Sequence, residues 1–384
     1  MRPPRPQENA TVAGLFGRVV LMPTVALCLL AGIAGGLLRA GVALPDSLSG
    51  AWLDQAVAAH AFLMICAFMG TVIGIERAVA VKTRAAFLAP VGSALAGLAT
   101  LAGLPRVGAG LAVIASIVFV AVNVLVVARQ RAPHTLLLLV GALAWLYGNV
   151  GFALASSPHA VVPWWFAFLV LTIAAERLEM TRLMRRRPAA SRALHVVLGA
   201  LLGGCALFPA FPVWGGLLYG ASLTALAAWL LCFDIARRTI HAAGLSRYMA
   251  VCLLLGYLWL AIAGVAWCAT TLGLPLMDAA IHALALGFVF SMMLAHAPVI
   301  LPAVARFKLL FGWMFYLPLG LLHVSLAVRL LLRHTAFSSL PLGASGNAAA
   351  ILLFVGAIVA SAVAWRLKHS THSRPHRDAL APDS

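Results

Sequence analysis

HAFLMICAFMGTVIGIERAVA fills residues 60–80, and HALALGFVFSMMLAHAPVIL fills residues 282–301. Each run has the roughly 20 apolar residues that an α-helix needs to cross the roughly 30 Å hydrocarbon core of a bilayer, and each opens on a histidine. Runs of this kind recur along the whole chain. They give twelve spans, near 17–38, 57–80, 86–104, 108–128, 135–155, 163–181, 193–209, 213–234, 248–270, 280–300, 311–332 and 347–366. A membrane β-barrel would show short alternating segments instead. The reading is an all-α polytopic membrane protein. Residues 1–16 form a cytoplasmic N-terminal segment, 17–367 the twelve-helix membrane domain and 368–384 a disordered basic cytoplasmic tail.

Composition agrees. The chain is 63% hydrophobic and 10% charged, with mean hydropathy +1.02, which leaves too little polar surface for a soluble protein of this size. The net charge of +17 invites a nucleic-acid reading, but its placement argues against one. With the N-terminus inside, only Arg39, Arg106, Arg329 and Arg333 of the 27 Lys and Arg residues fall on the outer side. That is a strong positive-inside pattern, with both termini cytoplasmic. The charge orients the chain and meets anionic membrane lipid; nucleic acid is not a partner. Arg outnumbers Lys 24 to 3, the usage of a GC-rich bacterial gene, so the expected membrane is a bacterial inner membrane. The six cysteines lie in apolar spans without a CxxC pair and read as buried packing residues. Trp52, Trp164 and Trp165 sit where an outer aromatic belt belongs, and Trp313 and Trp365 where the inner one does.

An internal pattern relates the second, sixth and tenth spans. Glu76-Arg77 closes the second, and Glu176-Arg177 closes the sixth, one hundred residues on. His60 precedes the first pair by sixteen residues and His159 the second by seventeen, while His282 opens the tenth span. This suggests three four-helix units. A six-plus-six transporter repeat would relate the second span to the eighth, which has no such motif.

All even-numbered spans run in the same direction, so His60 and His282 lie near the same, outer face of the bilayer. Two imidazoles at one depth are the axial pair that a haem iron takes, each ligating through one ring nitrogen while the other donates to a carbonyl or carboxylate. Phe62, Leu63, Leu284 and Phe288 would suit a porphyrin. The alternative for each histidine is an interfacial residue bonded to a loop. Asp54 and Asp278, shortly before the two histidines, could orient an imidazole or cap a helix.

His296 lies fourteen residues after His282, about 21 Å along a helix and roughly 40° off the same face. It could ligate a second haem with an inner partner such as His134, His195 or His241, or hydrogen-bond Glu76 in a proton path. His323, in the eleventh span, could support the outer site, ligate copper or bond across helices. Glu76, Arg77, Glu176 and Arg177 read either as ion pairs whose arginines snorkel to the headgroups, or as a proton entry or a propionate-binding group.

By these features the chain resembles the NnrS family and, more distantly, subunit I of the haem–copper oxidases. The resemblance rests on twelve spans, His60 opening the second, His282 and His296 on the tenth, and the three-fold pattern of four helices. It covers essentially the whole chain. In haem–copper oxidases the second and tenth helices supply the axial histidines of a low-spin haem, which by position are His60 and His282 here. NnrS-like proteins are haem-containing membrane proteins linked to nitric oxide metabolism and nitrosative stress. The chain departs from the oxidases in lacking a histidine within its sixth span, and in carrying Ala280 and Leu284 two residues either side of His282. A copper–haem oxygen-reducing centre is therefore not expected. The second span also differs from the His-Glu-Met type of typical NnrS members, as a divergent branch would. The resemblance implies an oxidoreductase-like haem b protein in electron transfer or nitric oxide metabolism, with copper as a second possible cofactor and a redox partner or small gas as its partner. The competing expectation is a secondary transporter, which few mid-span polar residues support beyond Asn123, Tyr147, Asn149 and His323.

Overall fold

A computed structural model of the chain describes residues 21–180, 188–305, 307–331 and 339–370. Within them there are helices and no strand, and twelve helices are long and apolar enough to cross a membrane. They are α1 (Met22–Arg39), α2 (His60–Val81), α3 (Arg84–Leu101), α4 (Pro105–Arg129), α5 (Pro133–Ala153), α6 (Ala160–Met180), α7 (Ala189–Leu207), α8 (Pro212–Phe233), α9 (Gly244–Thr271), α10 (Met277–Pro302), α11 (Trp313–Leu331) and α12 (Leu340–His369). The chain is a multi-pass membrane protein. The expected N-terminal segment and residues 371–384 of the expected tail lie outside the described residues. Residues 368–370, expected in that tail, instead continue the last helix to Ser370.

Local chemistry sets the helix ends. Pro105, Pro133 and Pro212 open α4, α5 and α8 at the position where a missing N–H costs nothing. Both α3 and α9 stop at a glycine in left-handed conformation, Gly103 (φ 81°) and Gly273 (φ 97°). The next N–H then reaches back to a carbonyl of the last turn, Leu104 to Ala99 at 2.9 Å and Leu274 to Ala269 at 3.0 Å.

Most successive helices are joined by short connections and pack side by side as antiparallel neighbours. Burial singles out three of them. Buried residues make up 72% of an apolar 18-residue stretch of α2, 72% of α6 and 61% of α10, more than for any other span. These are the helices four apart that the motif spacing related to one another. Rings fill the space around them: Trp145 of α5 stacks on Phe168 of α6 at 5.0 Å, and Phe68 of α2 faces Phe290 of α10 at 6.2 Å. Gly70 of α2 admits the Trp145 ring, since a Cβ there would stand 2.6 Å from it.

A buried amide ties four helices together. Asn149 of α5 is fully buried. Its Oδ1 accepts from Trp165 Nε1 at 3.0 Å and from Cys66 Sγ at 3.2 Å, while its Nδ2 donates to the Ala112 carbonyl at 3.2 Å. Trp165, expected in the outer aromatic belt, is therefore a core residue. Its indole N–H needs an acceptor once buried, and Asn149 supplies it. Trp313 is 75% exposed, as a belt residue would be.

Candidate functional site

The two opening histidines come together. A short helix, Ala51–Ala58, leads to a turn at Ala59, and α2 starts on His60. Three glycines on α1 let this start approach closely. A Cβ on Gly35 would collide with the Ala56 carbonyl, one on Gly32 would stand 2.5 Å from Met64 Sδ, and one on Gly36 would stand 2.7 Å from His60 Cε1. His60 Nδ1 lies 2.7 Å from the Gly32 carbonyl oxygen. A carbonyl can only accept, so Nδ1 carries the proton and Nε2 keeps its lone pair.

His282, near the start of α10, is arranged likewise. Its Nδ1 lies 3.0 Å from the Asp278 carbonyl oxygen and 3.0 Å from Asp278 Oδ1. Both atoms are acceptors, so the proton again sits on Nδ1 and the lone pair on Nε2. Asp278 thus orients the imidazole; it does not cap the helix, where the N-cap is Leu276. The same carboxylate takes two bonds from Arg329 of α11, Nη2 to Oδ1 at 2.8 Å and Nε to Oδ2 at 3.2 Å. Arg329 is nearly buried, and its Nη2 stands 3.2 Å from His282 Nε2 and 3.4 Å from Nδ1. With the proton on Nδ1, the Arg329 N–H donates to His282 Nε2. Asp54 is exposed on the short helix.

Both imidazoles line one apolar cavity between α2, α6 and α10, closed at the side by α1, α11 and α12. Its volume is about 130 Å³ and it is open at its mouth; typical small-molecule and cofactor pockets hold about 300–1,000 Å³. Met64 and Met69 of α2, Phe166 of α6 and Phe290 of α10 contribute to its wall, and Arg329 and Asn347 are its polar residues besides the histidines.

Below each histidine the backbone leaves the α-helical pattern. Leu63–Met69 of α2 and Ala283–Phe290 of α10 are π-helical. Such stretches are rare and gather at functional sites. Their occurrence just after both histidines is the feature of this site that sequence reasoning missed. The related signals in the sequence were Gly287, where a Cβ would collide with Trp259, and the glycine cluster of α1.

The other candidates lie elsewhere. His296, at the opposite, basic end of α10, donates from Nδ1 to the Met292 carbonyl at 2.6 Å and accepts at Nε2 from Arg177 Nη2 at 2.9 Å. Its partner is thus Arg177, where the sequence reading offered Glu76 or a metal. Arg177 is 2% exposed, so it does not snorkel to the headgroups: the imidazole draws it inward. Arg77 faces Glu176 at 3.8 Å. His323 bonds across helices, accepting at Nδ1 from Trp259 Nε1 at 2.8 Å, and does not line the cavity. With Nδ1 as acceptor, its Nε2 bears the proton and has no lone pair to offer a metal. His195 bonds the Ser191 carbonyl of its own helix at 2.8 Å. Four of the cysteines are buried, Cys268 is half-buried and Cys232 exposed, and all six are free. Among the described residues, no group of three or more His, Cys, Asp or Glu side chains is placed to hold a metal ion.

The family described as Domain of unknown function (DUF8744) matches residues 18–363, and the chain belongs to it. No curated protein and no solved structure matches the chain.

Proposed function

We propose that this protein is a haem b-binding protein of the bacterial inner membrane, with His60 and His282 as axial ligands. The observation that carries the reading is the matched pair of imidazoles on one apolar cavity. Each is fixed at Nδ1 by a backbone carbonyl; His60 keeps its Nε2 lone pair for a ligand, and a ligand at His282 Nε2 would displace the Arg329 N–H bonded there. That is the orientation outer-shell bonds give to metal-ligating histidines. The donor count supports haem over a bare ion. A lone zinc or copper ion needs three or four protein donors, whereas a porphyrin supplies the equatorial four and asks the protein only for axial groups.

Each residue has a task in this reading. The Gly32 carbonyl and Asp278 hold the two rings in place. Arg329 neutralises Asp278 and stands beside the cavity as a cation for an anionic edge group. The apolar wall excludes water. When bound, the haem would supply one-electron chemistry, or a place for a small gas if one histidine is displaced. The resemblance to the NnrS family, expected from the sequence, directs the choice of gas to nitric oxide. The positive-inside pattern supports cytoplasmic termini, which puts the cavity at the outer face, next to an external redox partner.

The test is a reduced-minus-oxidised visible spectrum of the detergent-purified protein beside His60→Ala and His282→Ala. The expected result is one haem b per chain, lost in both variants. A folded preparation without haem would refute the reading and turn attention to solute flux in vesicles.

A further inference from the structure

The two histidines of the cavity are matched in placement but unequal in readiness to ligate. Arg329 Nη2 donates to His282 Nε2 at 3.2 Å and to Asp278 Oδ1 at 2.8 Å, while its Nε donates to Asp278 Oδ2 at 3.2 Å. Nε2 is the atom through which His282 would ligate a metal, and its single lone pair serves one partner at a time. His60 Nε2 carries no such hydrogen bond among the described residues. One ring is open to a ligand; the other is capped by a cation of the same chain.

The cap is built into the α11–α12 pair. A Cβ on Gly343 of α12 would stand 2.5 Å from Arg329 Cβ, and one on Gly346 would stand 2.5 Å from Ser325 Cβ, so the two helices touch along this line. Asn347 of α12 is hydrogen-bonded to Ser325 Oγ at 2.7 Å, one turn from Arg329. Arg329 lines the cavity together with Ala344, Asn347, Ala348 and Ile351 of α12. The space they enclose is about 130 Å³, against the roughly 300–1,000 Å³ of pockets that hold a cofactor. A porphyrin does not fit it as it stands. Withdrawal of Arg329 and α12 from His282 would free the lone pair and widen the space at once.

We propose that Arg329 is a latch that closes the histidine site in the ligand-free protein. Its N–H competes with an incoming ligand for His282 Nε2, and release of that bond, with outward movement of α11 and α12, admits the ligand. Only the hydrogen bond to His282 breaks. Arg329 Nε stays on Asp278, and Asp278 keeps the imidazole proton on Nδ1, so the lone pair is released already oriented. The latch makes Arg329 a specificity-determining residue: a ligand has to bind His282 strongly enough to replace a charge-assisted hydrogen bond, and a merely apolar molecule stays out. The inference rests on the haem reading of the site.

The test compares the full chain with its Asp278→Asn, Arg329→Met double variant, both haem-free and in lipid vesicles. The variant removes the latch, leaves an amide oxygen to orient His282 and strands no charge. The probe is iron protoporphyrin dimethyl ester, which has no carboxylate to pair with Arg329 and so reports the latch alone. The variant should bind it about 10–100-fold more tightly, the effect of a hydrogen bond to a charged group. Solid-state NMR of protein labelled with ¹⁵N-histidine and ¹⁵N-arginine gives a reading that needs no variant. The expected result is a contact between the Arg329 guanidinium and His282 Nε2 in the ligand-free protein, lost when iron(II) protoporphyrin is added. Unchanged or weaker binding of the ester by a folded variant overturns the proposal. So does absence of the contact from the ligand-free protein, or its persistence in the loaded one. The NMR result decides the matter even where the variant fails to assemble. If neither protein binds iron protoporphyrin or its ester, the haem reading falls and the latch with it; iron protoporphyrin bound with the contact intact refutes the latch alone.

Discussion

Gly36→Ala tests the histidine site without removing a ligand. The new methyl group would stand 2.7 Å from His60 Cε1, 3.1 Å from Nδ1 and 3.4 Å from Nε2. Carbon atoms in ordinary contact are about 3.5–4.0 Å apart, so the ring must retreat by about 1 Å. Retreat strains the 2.7 Å bond from Nδ1 to the Gly32 carbonyl, a contribution of about 0.5–1.5 kcal/mol. Replacing a mid-helix glycine by alanine returns about 0.5–1 kcal/mol. The two nearly cancel, so thermal unfolding of the haem-free protein should change little. Haem binding should not escape. A ligand displaced by about 1 Å exceeds the roughly 0.5 Å tolerance of a preorganised site, and disturbing the bond that orients a ligating histidine typically costs about 10–100-fold in affinity. Haem titration of the apoprotein would read this directly, with Gly110→Ala, which has open space around it, as the control. If Gly36→Ala folds and binds haem with unchanged affinity and spectrum, His60 is not an axial ligand.

Two further substitutions probe the supports. Arg329→Met leaves the largely buried Asp278 without its bidentate partner and should destabilise the protein by about 3–5 kcal/mol in thermal or denaturant unfolding; adding Asp278→Asn should recover most of that loss. Asn149→Leu strands the buried Trp165 N–H and should cost about 1–3 kcal/mol by the same assay, with Trp165→Phe in that background restoring part of it.

The spans were legible because crossing hydrocarbon demands long apolar runs, and no packing detail is needed to find them. The pairing of His60 with His282 was legible for a related reason: helix direction alternates, so depth in the membrane follows from chain order. What escaped the reading depends on neighbours. Arg177 looked like a snorkelling residue because its place in the chain is near a span end, yet His296 on another helix draws it inward. Trp165 sits at belt depth but faces Asn149. Arg329 counted as an exception to the positive-inside pattern until Asp278 and His282 were seen beside it. Each was decided by what faces it across a helix boundary, which the hydropathy of its own span does not record.

The π-helical stretches of α2 and α10 carry a consequence for counting along those helices. A π-bulge accommodates one residue more than an α-helix would between the same two faces. Fourteen residues of ideal α-helix would have kept His296 within about 40° of His282; with the wide turn in Ala283–Phe290, His296 is paired instead with Arg177 of α6. Each stretch therefore acts as a phase shifter between the two ends of its helix. A chain shorter by one residue there would keep its hydrophobic length and still cross the bilayer. It would also turn one end against the other by about 100°, parting either the histidine pair or the Arg177 bond. Length and phase are separate quantities in these two helices, and natural variants of the fold have to conserve both.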